Sequence, residues 1–255
     1  HGLLVATTGA GKTLAGFLPT LADLVEAPSE GLHTLYVSPL KALAVDVQRN
    51  LLTPIAEMGL DIRVETRTGD TPSDRKARQR IRPPQILLTT PESLSLLLSY
   101  PDSSLMFEGL KTIVVDEVHA FATGKRGDLL SLCMARLQRL APGLRRVALS
   151  ATVADPDTYR AWLAPDGDID AVRLVRGAAG APPNVTILLP QGRVPWSGHS
   201  GRYAAEQVIA EIETHKTTIV FCNTRALAEL IFQDLWKVNA MNLPLGVHHG
   251  SLSLE

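Results

Sequence analysis

Short apolar runs rich in β-branched residues occur at 3–6, 34–38, 63–66, 85–89, 112–115 and 146–149, and helical patterns separate them at 13–26, 42–57, 73–80, 129–140 and 157–163. Several of the runs lack polar alternation, as strands covered by helices on both faces do. Such an alternation predicts an α/β fold with a central, mainly parallel sheet. Asp155-Pro156 supplies a cap and a first-turn residue for the last of these helices. After Val175 the composition shifts to Gly177-Ala178-Ala179-Gly180-Ala181-Pro182-Pro183, flexible and then stiff, which reads as a domain boundary. The expectation is a first domain over 1–180, then a linker and an incomplete second α/β unit over 181–255. The second unit is predicted to hold strands at 185–189 and 217–222, helices at 203–214 and 225–236, and an apolar segment ending at Val247.

Composition narrows the function classes. Hydrophobic residues make up 45% of the 255 and charged ones 20%, which excludes general disorder and fibrous repeats. The two cysteines, Cys133 and Cys222, lie in separate apolar segments, which excludes a zinc-ligand cluster and argues against a disulfide framework. With 25 Lys and Arg against 26 Asp and Glu, no overall positive field announces a nucleic-acid partner, so any such binding has to be local. No apolar run approaches the roughly 20 residues of a membrane helix and no signal peptide is evident, so no membrane role and a cytoplasmic location are expected. The chain starts at His1 and stops at Glu255 soon after His248-His249-Gly250-Ser251, and reads as a fragment.

Two strand ends carry the chemistry. Ala6-Thr7-Thr8-Gly9-Ala10-Gly11-Lys12-Thr13 follows the first apolar run and opens a helix, the context of a phosphate loop. The glycines let consecutive backbone N–H groups and the helix N-terminus face an anion, Lys12 reaches the outer phosphates, and the Thr13 hydroxyl suits magnesium. Ala6 stands where the stricter pattern has glycine, and a plain glycine-rich turn is the other reading. Thr112-Ile113-Val114-Val115-Asp116-Glu117-Val118-His119 is an apolar strand ending in adjacent carboxylates. Asp116 is placed to hold Mg2+ and Glu117 to orient and deprotonate an attacking water, against the alternative of a solvated loop. His119 alone reads as a packing or hydrogen-bonding residue.

The combination of Gly9-Ala10-Gly11-Lys12-Thr13, Asp116-Glu117-Val118-His119 and Ser150-Ala151-Thr152 resembles the superfamily 2 DExH-box helicases. Within them, Ser38-Pro39-Leu40-Lys41, Thr68-Gly69-Asp70-Thr71, Thr89-Thr90-Pro91-Glu92, Lys125-Arg126-Gly127, Phe221-Cys222-Asn223-Thr224-Arg225 and His248-His249-Gly250-Ser251 look like the large helicase-related (Lhr) family. Pro195-Trp196-Ser197-Gly198-His199 inclines toward its ligase-associated DNA-repair branch.

The resemblance implies a RecA-like ATP-binding domain followed by part of a second RecA-like domain, closing on nucleotide to ratchet a single strand. It implies ATP and Mg2+ as cofactors, with Thr8, Gly9, Ala10, Gly11, Lys12 and Thr13 on the nucleotide, Thr13 and Asp116 on the metal, and His119 in the catalytic set beside Lys12, Asp116 and Glu117. Ser150 and Thr152 would couple that site to domain movement. Ser38, Pro39, Lys41, Thr68, Gly69, Asp70, Thr90, Pro91 and Glu92 would line the nucleic-acid face of the first domain, and Asn223, Thr224, Arg225, His249, Gly250 and Ser251 that of the second. Taken singly, these stretches also read as plain turns and a surface histidine pair. The basic run 74–82 reads as a solvated helix face in preference to a phosphate contact.

The implied partner is single-stranded or partly duplex DNA, with RNA or an RNA–DNA hybrid as the alternative, and DNA-repair proteins beside it. The family's adenine-reading glutamine and arginine finger fall outside the sequence, so the segment alone is expected to be a poor ATPase. A phosphate-loop switch or kinase, and a nonenzymatic nucleic-acid clamp, are the competing classes.

Overall fold

The computed structural model describes residues 1–121, 124–151, 153–178, 180, 182–188 and 201–252. It divides into two compact units, His1–Ala181 and Pro182–Glu255.

The first unit holds strands β1 (Gly2–Val5), β2 (Thr34–Val37), β3 (Val64–Arg67), β4 (Ile86–Thr89), β5 (Thr112–Val115), β6 (Arg145–Ser150) and β7 (Arg173–Arg176). Helices α1 (Lys12–Glu26), α2 (Lys41–Glu57), α3 (Ser73–Ile81), α4 (Pro91–Ser99), α5 (Ser103–Phe107), α6 (Lys125–Leu140) and α7 (Pro156–Leu163) run between them. All seven strands form one sheet in the order β3-β4-β2-β5-β6-β1-β7. Every pairing is parallel.

Period-2 alternation sends successive strand side chains to opposite faces, and both faces are apolar. Leu35, Val37, Leu87, Ile113, Val115 and Ala148 join a core with α4, α5, α6 and α7. Their neighbours Tyr36, Ile86, Leu88, Val114 and Leu149 join a second core with α1 and α2. Each fully buried Leu or Val contributes roughly 1.5–3 kcal/mol, so these two layers hold the sheet. The expected α/β fold with a parallel sheet is what the first unit has.

The structure adds three elements that the apolar runs did not predict: edge strand β7 and helices α4 and α5. It also gives partners to three charges of the basic run. On α3, Arg78 pairs with Glu65 at 2.6 Å, Arg80 with Asp102 at 2.7 Å, and Lys76 donates to the Gly69 carbonyl at 2.9 Å. These charges serve the fold.

In the second unit, α8 (Ala205–Thr214) and α9 (Arg225–Val238) form near their expected positions. The predicted strands do not: residues 185–188 and 217–222 carry no ladder, and residue 189 lies outside the described residues. A strand exists only by pairing, and no ladder forms among the described residues of this unit, although 217–222 and 243–247 line one cavity. Ile187 is 84% exposed and Phe221 91%.

Candidate nucleotide site and nucleic-acid interface

Because the strands are parallel, their C-terminal ends emerge on one edge of the sheet, where ligands of open α/β folds bind. The central strands β5, β6 and β1 deliver the nucleotide candidates side by side. Register places Val5 opposite Ser150 and Val115 opposite Ala148. The Ala6 N–H donates to the Ser150 carbonyl at 3.1 Å, which ties the start of the phosphate loop to the end of β6.

The loop is shaped as a cradle. Gly9 and Gly11 have φ of +82° and +78°, and a Cβ at either would meet nothing within 4 Å. These left-handed turns suit glycine, and between them the Ala10 N–H donates to the Thr7 carbonyl at 3.2 Å, so the loop closes on itself with open space beside both glycines. Lys12 is buried and its Nζ donates to the Ala6 carbonyl at 2.8 Å and the Thr7 carbonyl at 3.1 Å. Thr13 occupies the first turn of α1.

The acids are held differently from one another. Asp116 is only 7% exposed. Its Oδ2 accepts a hydrogen bond from the Tyr36 hydroxyl and its Oδ1 one from the Glu117 N–H at 2.9 Å. Burial, and then the negative charge of Asp116, push the Tyr36 phenol well above its ordinary value, so it remains a donor at every working pH. Glu117 sits in the left-handed region at φ 46°, ψ 51°, a conformation costly for a residue with a side chain. Its Oε2 is buried, makes no hydrogen bond, and lies 3.3 Å from His119 Nδ1. That nitrogen is directed instead at Ser150 Oγ, 2.9 Å away. Asp116, Glu117, His119 and Ser150 thus form one continuous cluster. Thr152 lies outside the described residues.

The other half of the edge, β2, β4 and β3, delivers the nucleic-acid candidates. The Asp116 N–H donates to Val37 O at 2.9 Å and the Ser38 N–H to Thr89 O at 3.0 Å, lacing this half to the nucleotide half. Lys41, Gly69, Asp70 and Glu92 are exposed, whereas Ser38, Pro39, Thr68, Thr90 and Pro91 are buried. Lys41 Nζ pairs with Asp70 Oδ1 at 2.8 Å. In the second unit Arg225 bonds Ser251 Oγ, Thr224 caps α9 by accepting from the Leu227 N–H at 3.1 Å, and His249 meets Glu229 at 2.7 Å. The two predicted stretches there are therefore neighbours.

Two residues at these sites were given no role by the sequence. Tyr36 is hidden inside an apolar strand, and its polar tip is the only signal it gives. Arg126, within Lys125-Arg126-Gly127, reaches both Glu92 and the Pro39 carbonyl. Among the described residues no three His, Cys, Asp or Glu side chains gather in a metal-holding cluster. No helix among them is long and apolar enough to cross a membrane.

The model of the DEAD/DEAH box helicase family matches residues 2–160. The Lhr helicase/probable uracil glycosylase of Mycolicibacterium smegmatis is 38% identical over 96% of this chain and 17% of its own length. The ATP-dependent helicase Lhr-Core of Methanocaldococcus jannaschii is 35% identical over 99% of this chain and 31% of its own length. Among solved structures, Mycobacterium smegmatis helicase Lhr bound to ssDNA and AMP-PNP matches with TM-score 0.78 and 36% identity, covering 99% of this chain and 34% of that one. DUF1998 helicase MrfA bound to DNA and AMPPNP matches with TM-score 0.73 and 27% identity, covering 93% and 33%. The chain thus spans about a third or less of the proteins it resembles. With the family's match reaching from the phosphate loop past Ser150, this chain belongs to the DEAD/DEAH box helicases.

Proposed function

We propose that this chain is the ATP-hydrolysing part of a helicase or translocase that moves along single-stranded DNA. The observation that carries the reading is the meeting of the phosphate loop, Asp116, Glu117, His119 and Ser150 at adjacent strand ends, laced directly to the loops expected to hold nucleic acid. Similarity to Lhr and MrfA, solved with ssDNA or DNA, favours DNA. The match to DEAD-box helicase Mss116 bound to ssRNA, at 18% identity, speaks only for the fold. Work in DNA repair, in the cytoplasm and beside repair proteins, extends the reading through the Lhr resemblance. By the same resemblance, Pro182–Glu255 is part of a second RecA-like domain and supplies Asn223, Thr224, Arg225, His249, Gly250 and Ser251 to the strand.

The residues fit a magnesium nucleotide. The open cradle at Gly9 and Gly11 suits phosphate oxygens, and the unbonded, buried Glu117 Oε2 suits a water proton. Thr13 and Asp116 would hold the ion; a site with so few protein oxygens suits Mg2+, which keeps waters and shares phosphates. When bound, the ion neutralises phosphate charge. Lys12 holds the outer phosphates, the backbone from Thr8 to Thr13 orients them, and Glu117 accepts the proton of the attacking water. His119 reports the state of Glu117 to Ser150.

The test is a separation of roles in the full-length protein, read by nucleotide binding and by turnover with ssDNA. Lys12→Ala should weaken nucleotide binding, whereas Glu117→Gln should preserve binding and lose turnover. Equal loss of binding in both would refute the assignment.

A further inference from the structure

Arg126 makes more connections than its place at the start of α6 requires. Its Nε bonds Glu92 Oε1 at 2.6 Å, and its Nη2 bonds both Glu92 Oε2 at 3.2 Å and the Pro39 carbonyl at 2.9 Å. The guanidinium also lies 5.8 Å from the centre of the Phe121 ring. One side chain thereby joins the loop after β2, the first turn of α4 and the segment that follows the acidic cluster. The position of its backbone is equally constrained. A Cβ on Gly127 would stand 1.8 Å from the Phe121 carbonyl oxygen, so α6 begins in direct contact with that segment.

The electrostatic problem lies at Glu92. It is exposed on the face assigned to nucleic acid, where an unpaired carboxylate would repel every phosphate of a bound strand. The two-point fork of Arg126 cancels that charge and fixes the carboxylate in place, and the same pairing holds the Glu92 carboxyl below its usual range. We propose that Arg126 is a positioning residue for strand binding: it holds the Glu92 carboxylate in place and cancels its charge on the face expected to meet nucleic acid. The inference rests on the DNA-translocase reading above and deepens it.

The pair is half exposed, so its effect is that of a screened charge and not of a buried one. The experiment measures the affinity of the full-length protein for a fluorescent single-stranded oligonucleotide, and in parallel the KM for ATP, with melting curves to verify the fold. Arg126→Gln should weaken oligonucleotide binding about tenfold while the KM for ATP moves less than about twofold. The neutral pair Arg126→Gln/Glu92→Gln should recover affinity to within about threefold of wild type, because the harm in the single variant is the uncancelled carboxylate. Arg126→Lys, with charge but no fork, should fall between the two. A double variant as weak as Arg126→Gln, or an Arg126→Gln that binds like wild type, overturns the inference while leaving the function standing. Wild-type protein that ignores the oligonucleotide overturns the function and this inference with it.

Discussion

Replacing Tyr36 by Phe removes one oxygen and tests whether the acidic site is built by the sheet beneath it. The phenol is fully buried and its hydroxyl donates to an Asp116 carboxylate that is only 7% exposed. Without it, Asp116 keeps a single described donor, the Glu117 N–H. The ring itself stays, stacked on Phe17 with centroids 5.1 Å apart, so no cavity confuses the result. A hydrogen bond to a charged acceptor is worth about 1.5–3 kcal/mol, and leaving a buried carboxylate short of a donor places the loss in that range. For a unit of this size, about 2 kcal/mol corresponds to about 4–8 °C in melting temperature. Urea unfolding followed by circular dichroism gives the stability, and ATP turnover with ssDNA gives the activity. Both should fall in Tyr36→Phe, turnover because Asp116 is no longer fixed. A stability change under about 0.5 kcal/mol with turnover intact would show that the hydroxyl and the carboxylate do not support each other.

Tyr36 also sets an alkaline limit. Its folded phenol holds the proton to higher pH than the unfolded chain, whose value is about 10, so its contribution is complete below that pH and is lost as pH rises beyond it. Unfolding midpoints measured upward from about pH 9 should fall less steeply in Tyr36→Phe than in wild type, and parallel curves would contradict this. Gly127→Ala should cost about 3 kcal/mol or more, because the new methyl meets backbone that cannot yield. Gly16→Ala meets only Leu149 side-chain carbons at 3.1 Å and 3.2 Å and should cost about 1 kcal/mol, so equal melting curves for the two would refute the distinction. Affinity for a single strand should fall with salt at about −0.7 per phosphate neutralised, and Lys41→Ala or Arg225→Ala should weaken binding alike for unrelated sequences. A strong dependence on base identity would move the interface elsewhere.

The core strands were legible because they are buried on both faces. Thr112–Val115 matches its apolar run residue for residue, and β2 and β4 differ from theirs by one residue at one end. Strand β7 was not legible, since Leu174 and Val175 stand between arginines and gain their order only by pairing with β1. The run at 217–222 failed in the opposite sense: its residues favour a strand, yet propensity supplies no partner. Helix α4 carries both start signals, Pro91 at its first turn and Glu92 beside it, but those residues read first as a loop motif. At the site, residue types next to each other in sequence could be read off; contacts set by strand order could not. Tyr36 and Asp116 are 80 positions apart, and only the pairing of β2 with β5 brings them together.

Lys12 is already engaged with two carbonyls of its own loop. On the nucleotide reading proposed above, a phosphate arriving there would meet an ammonium with two of its three N–H donors engaged, and would take the third or displace a carbonyl. Where a neutral carbonyl oxygen gives way to an anionic one, the net gain is the difference between two charge-assisted hydrogen bonds and not the full strength of either. An uncharged group offers no such difference and leaves the lysine where it is. On that reading the loop would favour an anionic visitor, and the same two carbonyls would remain to take the ammonium back when the visitor leaves.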